Sequence, residues 1–306
     1  MRSRFLLLVL LGVGACGDDS GSDTGPIDSS IDAAIDVGPV QFSVATWNVE
    51  NLFDALDDPD KLDERLSSAQ VEAKLEAVAR VLTALDADVV ALQEVENERI
   101  LDMLADGPAA ALGYEHRFLF DGFDPRGIDV ACLARVPVAG AASHIGEDFP
   151  NEDGTERYFF TRDALEVFAE PRGIPVTIMV LHLISMADGG SDDRRLAEAM
   201  QARRIADARV GMGMERFLIA GDFNDFPDSA VLDAITGGPE ITDLTVNVPI
   251  DDRWTFVFRG AQQQVDYIVG TPIMQTEVDE VAILHGPEVE AASDHYPIVA
   301  RFTLNR

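Results

Sequence analysis

The sequence predicts an α/β fold in which buried strands alternate with amphipathic helices. Residues 217–220 form a continuous apolar run of strand length, and apolar residues recur at helical spacing between 71 and 85. Each half of the chain also starts with a strand, a helix and a second strand. This similarity between the halves hints at two packed sheets.

The predicted strands are short apolar or alternating segments bounded by turn residues. Residues 41–48 alternate and carry β-branched and aromatic side chains, which is typical of a strand. Residues 88–93 form a buried run that ends in polar side chains. The remaining strands are predicted at 115–120, 129–134, 162–169, 174–182, 216–221, 254–258, 265–269, 278–284 and 298–303.

The predicted helices begin and end at recognisable signals. Ser67 and Ser68 are candidate N-caps for a helix through residues 71–85. A short helix over 97–105 ends at Gly107-Pro108. A longer helix covers about 192–210, and a last short helix follows Pro227.

The N-terminal residues predict export. Arg2 and Arg4 precede an apolar run, residues 5–11, that is too short to span a bilayer as a helix. Cys16 directly follows small residues and so resembles the cysteine of a bacterial lipobox. We therefore expect a lipoprotein-type signal peptide at 1–15 and a lipidated Cys16. The alternative is an ordinary signal peptide with an incidental cysteine.

Composition divides the rest of the chain into a tether and a single domain. Residues 16–40 are rich in Gly, Ser, Asp and Pro, which predicts a disordered acidic tether before a domain at 41–306. We expect an exported protein of the cell envelope, monomeric and bound to the membrane only through its lipid anchor. Cys132 lies in an apolar run and is expected to be a buried, inert thiol. If Cys16 is lipidated no disulfide forms, so the domain depends on its own core.

The charge restricts the partners of the protein. The formal net charge is −32, and residues 41–306 carry 49 acidic and 21 basic side chains, a net of −28. Such a surface repels polyanions, and no broad basic groove for duplex DNA is visible. The five arginines of the helix at 192–210 are more typical of a solvated face than of a phosphate track.

Polar residues recur where the predicted strands end, which is where open α/β sheets place their chemistry. The most informative stretches are Gly221-Asp222-Phe223-Asn224 and Ser293-Asp294-His295. Together they offer a proton acceptor, a neutral hydrogen-bond donor, a metal ligand and an imidazole that can become a cation. A metal-assisted attack on a phosphate ester needs these groups. The other strand-end residues are Asn48, Glu50, Glu94, Asp129, Arg162, His182 and Asp266.

At these residues the chain resembles the endonuclease/exonuclease/phosphatase superfamily, which includes DNase I-like nucleases, sphingomyelinases and inositol-polyphosphate phosphatases. The resemblance covers roughly residues 42–304, and the motifs come in the same order. It implies a four-layer α/β sandwich, with two mixed β-sheets face to face and helices outside, and a Mg²⁺-dependent phosphoesterase activity. Its motifs are Trp47-Asn48-Val49-Glu50, Leu92-Gln93-Glu94, Arg126-Gly127-Ile128-Asp129, Thr161-Arg162-Asp163, Leu181-His182, Gly221-Asp222-Phe223-Asn224, Val265-Asp266-Tyr267 and Ser293-Asp294-His295.

The resemblance implies a metal site. Glu94 is similar to the main metal ligand of the family, with Asn48, Glu50 and Asp294 near the same ion. Hard oxygen ligands suit Mg²⁺ or Mn²⁺ rather than zinc, and the sequence shows no Cys/His ligand cluster. For Glu94 the alternative is a helix-capping acid.

The resemblance also implies catalytic roles. Asp222 is similar to the residue that accepts a proton from the attacking water, and Asn224 to the one that orients that water or holds a phosphate oxygen. His295 is expected to face the phosphate with Asp266 behind it, fixing the tautomer and favouring the imidazolium. His182 resembles a second active-site histidine.

Two further residues are candidates for substrate binding. Asp129 is a candidate to orient His182, and Arg162 to contact a phosphate through two nitrogens. The alternative for this pair is that Asp129 and Arg162 bind each other.

Three functions remain open from the sequence. The first is a divalent-metal-dependent phosphodiesterase of endonuclease type. The second is hydrolysis of a small-molecule or lipid phosphoester, which the acidic surface and the anchor favour. The third is a non-enzymatic surface-binding lipoprotein, against which the complete set of site residues argues. Secreted nucleases of this type often carry a basic residue soon after the His182 position, but residues 183–186 contain none.

Overall fold

The computed structural model describes residues 38–187, 191–238 and 240–306. The expected signal peptide, the lipidated Cys16 and nearly all of the tether lie outside these residues. Among the described residues, no helix is both long and apolar enough to cross a bilayer.

Within the described residues, sixteen strands form two large sheets and two small hairpins. The strands are β1 (Val40–Leu52), β2 (Val89–Val95), β3 (His116–Leu119), β4 (Asp129–Ala134), β5 (Val138–Ala142), β6 (Asp148–Pro150), β7 (Arg157–Phe159), β8 (Leu165–Ala169), β9 (Val176–His182), β10 (Phe217–Asp222), β11 (Thr242–Asp243), β12 (Phe256–Phe258), β13 (Ala261–Gln263), β14 (Asp266–Gly270), β15 (Val278–Ile283) and β16 (Ile298–Leu304). Sheet 1 has the order β15-β16-β1-β2-β4-β3, and sheet 2 has the order β11-β14-β10-β9-β8-β5. The hairpins are β6–β7 and β12–β13.

Both sheets are mixed and share the same central arrangement. In sheet 1, β1 is parallel to β2 and antiparallel to β16. In sheet 2, β10 is parallel to β9 and antiparallel to β14. The similarity between the two halves of the sequence therefore corresponds to two related sheets, as predicted.

Helices cover the outer faces of the sheets. They are α1 (Ser68–Leu85), α2 (Glu98–Asp106), α3 (Asp192–Gly211), α4 (Ala230–Thr236) and, near the C-terminus, α6 (Pro287–Glu290). The short helix α5 (Pro272–Glu277) instead contributes Met274 to the layer between the two sheets. Ser67 caps α1 in a capping box with Gln70, which confirms one of the two candidate caps. Asn97 caps α2 through its side chain.

The core consists of three apolar layers that follow from the alternation of side chains along each strand. In β2, Val89 and Ala91 face the layer between the two sheets, whereas Val90 and Leu92 face the layer under α1 and α2. A third layer lies between sheet 2 and the helices α3 and α4. Strands that are buried on both faces form nearly continuous apolar runs, and such runs can be recognised in the sequence. The four-layer α/β sandwich is confirmed.

The structure differs from the sequence prediction at weak strands. The strand predicted from residue 162 begins at Leu165, so Arg162 lies in the preceding loop. The strands β5, β6, β7, β11 and β13 were not predicted, because each is short and half-exposed and carries little apolar periodicity. Cys132 is a buried free thiol, as expected, and burial raises its pKa to about 12.

Candidate active site

One cavity of about 970 Å³ collects most of the polar strand-end residues. Asp266 lies just behind this lining, next to His295, and Asp129 is not part of the lining. The predicted site residues that line the cavity are Asn48, Glu50, Glu94, Arg162, His182, Asp222, Asn224, Asp294 and His295.

Sheet 2 contributes three of the predicted site residues at one level of the sheet. Asp222 at the end of β10 is paired in register with His182 on β9 and with Asp266 on β14. Directly paired residues of neighbouring strands point to the same face of a sheet. The regular ladder therefore brings two carboxylates and one imidazole together.

The Asp222 carboxylate is the centre of the site and joins the two sheets. Its Oδ2 atom accepts a hydrogen bond from Nδ2 of Asn48 on β1 at 3.1 Å. The same oxygen lies 3.6 Å from Nε2 of His182 and 3.8 Å from Nε2 of His295. Only 1% of Asp222 is exposed, so these contacts are made away from bulk water.

His295 is held in place through both its side chain and its backbone. Its Nδ1 lies 2.9 Å from Oδ2 of Asp266, and its carbonyl oxygen accepts a hydrogen bond from the Trp47 indole at 3.0 Å. Its backbone N–H donates to the Ser293 hydroxyl, which donates in turn to the carbonyl of Asn48. The Ser-Asp-His loop is thus fastened to β1, and the Asp266 carboxylate fixes the orientation of the imidazole.

The two histidines are held in opposite charge states. Burial lowers the pKa of His182 well below its usual value, and the nearby Arg162 charge lowers it further. Burial also acts to lower the pKa of His295, but the carboxylates of Asp266 and Asp222 outweigh it and raise that pKa to about 10. His182 is therefore neutral and His295 an imidazolium near pH 7.

Burial raises the pKa of the central carboxyl group, Asp222, to about 7, and repulsion from Asp266 adds to this effect. The positive charge of His295 and the hydrogen bonds from Asn48 and Asn224 act in the opposite direction and lower the pKa. A carboxyl group with this pKa exchanges its proton near neutral pH, which is the property required of a general base.

Sheet 1 contributes carboxylates from irregular backbone. The register of β1 shifts between Asn48 and Leu52, and that of β2 shifts between Gln93 and Val95. At these bulges Glu50 and Glu94 adopt φ angles of 52° and 63°, which non-glycine residues seldom adopt. Bulges redirect side chains at functional sites, and these two direct the carboxylates of Glu50 and Glu94 into the cavity.

The predicted metal ligands form an acidic group with few cations nearby. Burial, followed by the charge of Asp294, raises the pKa of Glu50. Burial likewise raises the pKa of Asp294, and Glu94 adds to the repulsion. Glu94 accepts hydrogen bonds from the Asn51 backbone at 2.9 Å and from Arg126 at 3.3 Å. Mutually repelling carboxylates with remaining oxygen lone pairs fit a hard divalent cation.

A second group with metal-ligand geometry consists of Asp222, Asp266 and His295, whose ligand atoms lie within 4.8 Å of one another. The imidazole lies between the two carboxylates, with Nδ1 facing Asp266 and Nε2 facing Asp222. One histidine cannot direct both nitrogens at the same ion. The arrangement is therefore better suited to proton transfer than to coordination.

Asp129 does not take its predicted role, and Arg162 is paired with a different carboxylate. Asp129 accepts a hydrogen bond from the backbone of Gly122 at 2.8 Å and does not contact His182, whose Nδ1 has no hydrogen-bond partner among the described residues. Arg162 is paired with Asp124 at 2.6 Å and donates to the Leu183 carbonyl, with only 1% of its side chain exposed. Each of its terminal nitrogens already contacts a protein oxygen, whereas its Nε has no hydrogen-bond partner among the described residues, and it does not bind Asp129. The two-nitrogen phosphate contact of Arg162 stays a prediction.

Several residues of the site were missed by the sequence analysis. The loop before β4 brings Asp124 against Arg162 and Arg126 against Glu94. Lys61 supports this loop through the Asp124 carbonyl at 3.1 Å. The signal was the charged segment Asp124-Pro125-Arg126-Gly127 directly before a buried strand, where turn residues and charges occur together.

The sequence matches the model of the endonuclease/exonuclease/phosphatase family over residues 43–269. The chain therefore belongs to this family, and it is a phosphoesterase of that class. A comparison with curated protein sequences found no match.

Solved structures with the same fold are similar to the chain at low sequence identity. An endonuclease/exonuclease/phosphatase from Beutenbergia cavernae has 21% identity and a TM-score of 0.62, over 87% of this chain and 72% of that one. A family protein from Bacteroides thetaiotaomicron has 16% identity and a TM-score of 0.61, over 88% and 99%. ANGEL2, a 2′,3′-cyclic phosphatase in complex with adenosine-2′,3′-vanadate, has 16% identity and a TM-score of 0.62, over 88% and 97%.

Proposed function

We propose that the protein is a divalent-metal-dependent phosphodiesterase that hydrolyses its substrate by attack of an activated water. The observation that carries this proposal is the position of the Asp222 carboxylate. It lies within 4 Å of Asn48, His182 and His295, in the cavity that the Glu94 carboxylate also lines. A proton acceptor, a cation and metal-binding oxygens thus meet in one cavity.

Asp222 takes the proton from the attacking water. Its pKa of about 7 allows it to be ionised before the attack and protonated after it. Asn48 and the backbone N–H of Asn224 donate hydrogen bonds to its two oxygens, at 3.1 and 2.8 Å, and so fix the direction of the carboxylate. Asn224, which also lines the cavity, orients the water or a phosphate oxygen.

His295 stabilises the negative charge that develops on the phosphorane. Its imidazolium form is maintained by Asp266, and its Nε2 faces the cavity near Asp222. His182 stays neutral and offers its Nε2 side to the same region. The His295 cation and the neutral His182 imidazole are thus placed to stabilise negative charge that develops only in the transition state.

Glu94, Glu50, Asp294 and the Asn48 side chain would hold Mg²⁺ or Mn²⁺. When bound, the ion polarises the phosphate and offsets the repulsion between an anionic substrate and these carboxylates. Oxygen-only donors favour these ions over zinc.

The substrate is a phosphodiester, and an endonuclease-like reaction is the first candidate. A small-molecule or lipid phosphoester is the second, and the net charge of −28 on residues 41–306 favours it, since that charge repels long polyanions. ANGEL2, one of the similar structures, is a cyclic phosphatase that contains an adenosine vanadate. A compact phosphoester is therefore consistent with this fold.

A substrate panel tests the proposal. Plasmid DNA, RNA, sphingomyelin, inositol phosphates and bis-p-nitrophenyl phosphate are incubated with Mg²⁺, Mn²⁺ or EDTA. We expect hydrolysis that requires the metal and falls at least about 100-fold in His295→Ala, because the charge-stabilising cation is lost. Full activity in EDTA or in both His295→Ala and Asp222→Ala would contradict the mechanism. The absence of metal binding in calorimetry would instead favour a non-enzymatic binding protein.

The protein acts outside the cytoplasm, attached to the cell envelope by a lipid on Cys16. The support is the sequence alone: two arginines, a short apolar run and a cysteine after small residues. Membrane fractionation of wild type and Cys16→Ser tests this location. We expect the wild type in the membrane fraction and the variant in the soluble exported fraction.

A further inference from the structure

Three arginines line the cavity among the described residues, and they differ in how firmly their guanidinium groups are held. Arg162 pairs with Asp124 at 2.6 Å, and only 1% of its side chain is exposed. Arg194 donates to the Phe159 carbonyl at 2.8 Å, and its guanidinium lies 5.2 Å from the centroid of the Phe159 ring. The Arg126 side chain is 38% exposed. Arg126 is therefore the arginine of the cavity that can most easily exchange partners.

The contacts of the Arg126 guanidinium are longer than those of a well-formed ion pair. Its Nη2 lies 3.3 Å from Oε1 of Glu94, and its Nη1 lies 3.4 Å from Oδ1 of Asn51. Its Nε lies 3.6 Å from Oδ1 of Asp124. Hydrogen bonds between ionised groups usually measure about 2.7–2.9 Å. None of the three contacts therefore holds the guanidinium strongly.

The backbone of the same loop is firmly fixed. The Arg126 N–H donates to Oδ1 of Asp124 at 2.8 Å, and the Gly127 N–H donates to the Asp124 carbonyl at 3.1 Å. The Lys61 ammonium group donates to the same carbonyl at 3.1 Å. An exchange of partners thus requires a rotation of the Arg126 side chain and no movement of the loop.

Glu94 connects Arg126 to the predicted metal site. Oε2 of Glu94 accepts the Asn51 backbone N–H at 2.9 Å, whereas Oε1 faces the Arg126 guanidinium. A divalent cation held by Oε1 would bring two positive charges to the position beside this guanidinium and would repel it. The metal and Arg126 therefore compete for the same carboxylate oxygen.

A guanidinium displaced from Glu94 remains in the cavity of the catalytic groups. Arg126 lines this cavity together with His182 and Asp222. Burial lowers the pKa of His182, and the charges of Arg162 and then Arg126 lower it further, so the Arg126 charge acts on the catalytic centre. A guanidinium presents several N–H groups in one plane, which match two oxygens of a phosphate.

We propose that Arg126 binds the substrate phosphate once a bound metal has displaced its guanidinium from Glu94. The proposal rests on the proposed function, since it takes Glu94 as a metal ligand. The metal then increases phosphate affinity through Arg126 as well as directly, and phosphate increases metal affinity by the same factor. The phosphate site is therefore complete only in the metal-loaded protein.

Calorimetry of Mg²⁺ binding tests this exchange without requiring turnover. Mg²⁺ is titrated into the protein alone and into the protein with saturating inorganic phosphate. Arg126→Met keeps an unbranched apolar stem and removes the charge, so Mg²⁺ alone should bind about three- to tenfold more tightly than in the wild type. The gain in Mg²⁺ affinity that phosphate produces should be at least about tenfold smaller in this variant, because the charge-assisted contact is lost.

Two further variants separate the charge of Arg126 from its shape and from general effects of charge. Arg126→Lys keeps the positive charge but not the planar group of donors, so Mg²⁺ alone should bind within about twofold of the wild type, with an intermediate gain from phosphate. Arg301→Met is the matched control, since the Arg301 side chain is 39% exposed and does not line the cavity. It should keep both wild-type values. Urea unfolding verifies that each variant is folded.

The outcomes distinguish this inference from the proposed function. An unchanged affinity of Arg126→Met for Mg²⁺ alone would overturn the competition at Glu94, and an undiminished gain from phosphate would overturn the phosphate contact. Either result together with metal-dependent hydrolysis would overturn the inference and retain the proposed function. Coupled binding that Arg126→Met weakens, without hydrolysis of any phosphoester, would retain the inference and refute the proposed function.

Discussion

The two sheets supply different halves of the candidate site by different structural means. Sheet 2 places His182, Asp222 and Asp266 side by side through an unbroken strand register. Sheet 1 places Glu50 and Glu94 through bulges and positive φ angles. Asp222 and its two paired neighbours thus lie on regular strands, whereas two of the four predicted metal ligands, Glu50 and Glu94, lie on strained backbone. Regular strands define distances between side chains closely, and bulges allow several carboxylates to turn toward one ion.

The largest loss of activity is expected from a substitution in sheet 2, where the strand register is regular. In Asp222→Asn the proton acceptor is lost while the shape of the side chain is kept, so kcat should fall by about 10³-fold. Added metal should not restore it. The variant should be at least as stable as the wild type at pH 8, because a buried carboxyl group with a pKa of about 7 opposes folding once it is ionised. Steady-state kinetics and urea unfolding measure the two effects, and kcat within tenfold of the wild type would refute the assignment.

The second-largest effect is expected from a substitution at a bulge of sheet 1, and it concerns metal binding. Glu94→Gln keeps the size of the side chain but removes a charge from the predicted metal site, so metal affinity should fall by at least about 100-fold. In contrast to Asp222→Asn, activity should recover partly at high Mg²⁺ concentration. Calorimetry of metal binding and the metal dependence of kcat check this. If affinity were unchanged, the metal would have to bind elsewhere, with the group Asp222, Asp266 and His295 as the remaining candidate.

Two glycines of sheet 2 test how closely its central strands approach each other. A Cβ atom at Gly221 would lie 1.9 Å from the Leu181 carbonyl oxygen, whereas at Gly140 nothing lies within 4 Å. Their φ angles are nearly the same, 157° and 158°, so the strain that a side chain adds through φ is matched. Gly221→Ala should reduce the free energy of unfolding by about 2 kcal/mol or more beyond the effect of Gly140→Ala. Urea unfolding of both variants is the measurement, and equal losses would contradict the close approach of β9 and β10.

The smallest effect concerns the stability contributed by His144 and its partner Glu166, which do not line the cavity. Burial acts to lower the pKa of His144, but its hydrogen bonds to Glu166 and Glu147 raise it above 6.5. A raised histidine pKa gives stability that is complete below the unfolded value and is lost as the pH rises through the folded one. His144→Gln should therefore cost about 1 kcal/mol at pH 6 and less at pH 9. Activity should be unchanged, which would separate the pH dependence of the fold from that of the site.

The sequence was most informative where strands are buried on both faces. The runs ending at His182 and Asp222 are continuous and apolar, so both the strands and their polar ends were predicted correctly. It was least informative at edges and loops: β5, β13 and the hairpin β6–β7 have weak patterns, and the role of Arg126 depends on a loop conformation. The pairing of Arg162 with Asp124 rather than Asp129 depends on that same loop. Local pattern does not encode which of two nearby carboxylates a buried arginine meets.

The sequence by itself determined the fold class, the buried strands in their order along the chain and the residue types at their ends, because burial on both faces imposes a continuous apolar pattern. It also determined the family, through the order of motifs along the chain. Only the tertiary structure decided that Asp222 of sheet 2 meets Asn48 and His295 from the side of sheet 1. Asn48 and Asp222 are 174 positions apart in the sequence, and no local pattern encodes such a contact. It alone revealed the bulges at Glu50 and Glu94 and the Phe256 ring packed 4.6 Å from the His295 imidazole, because both arise from packing between segments and leave no periodic signal in the chain.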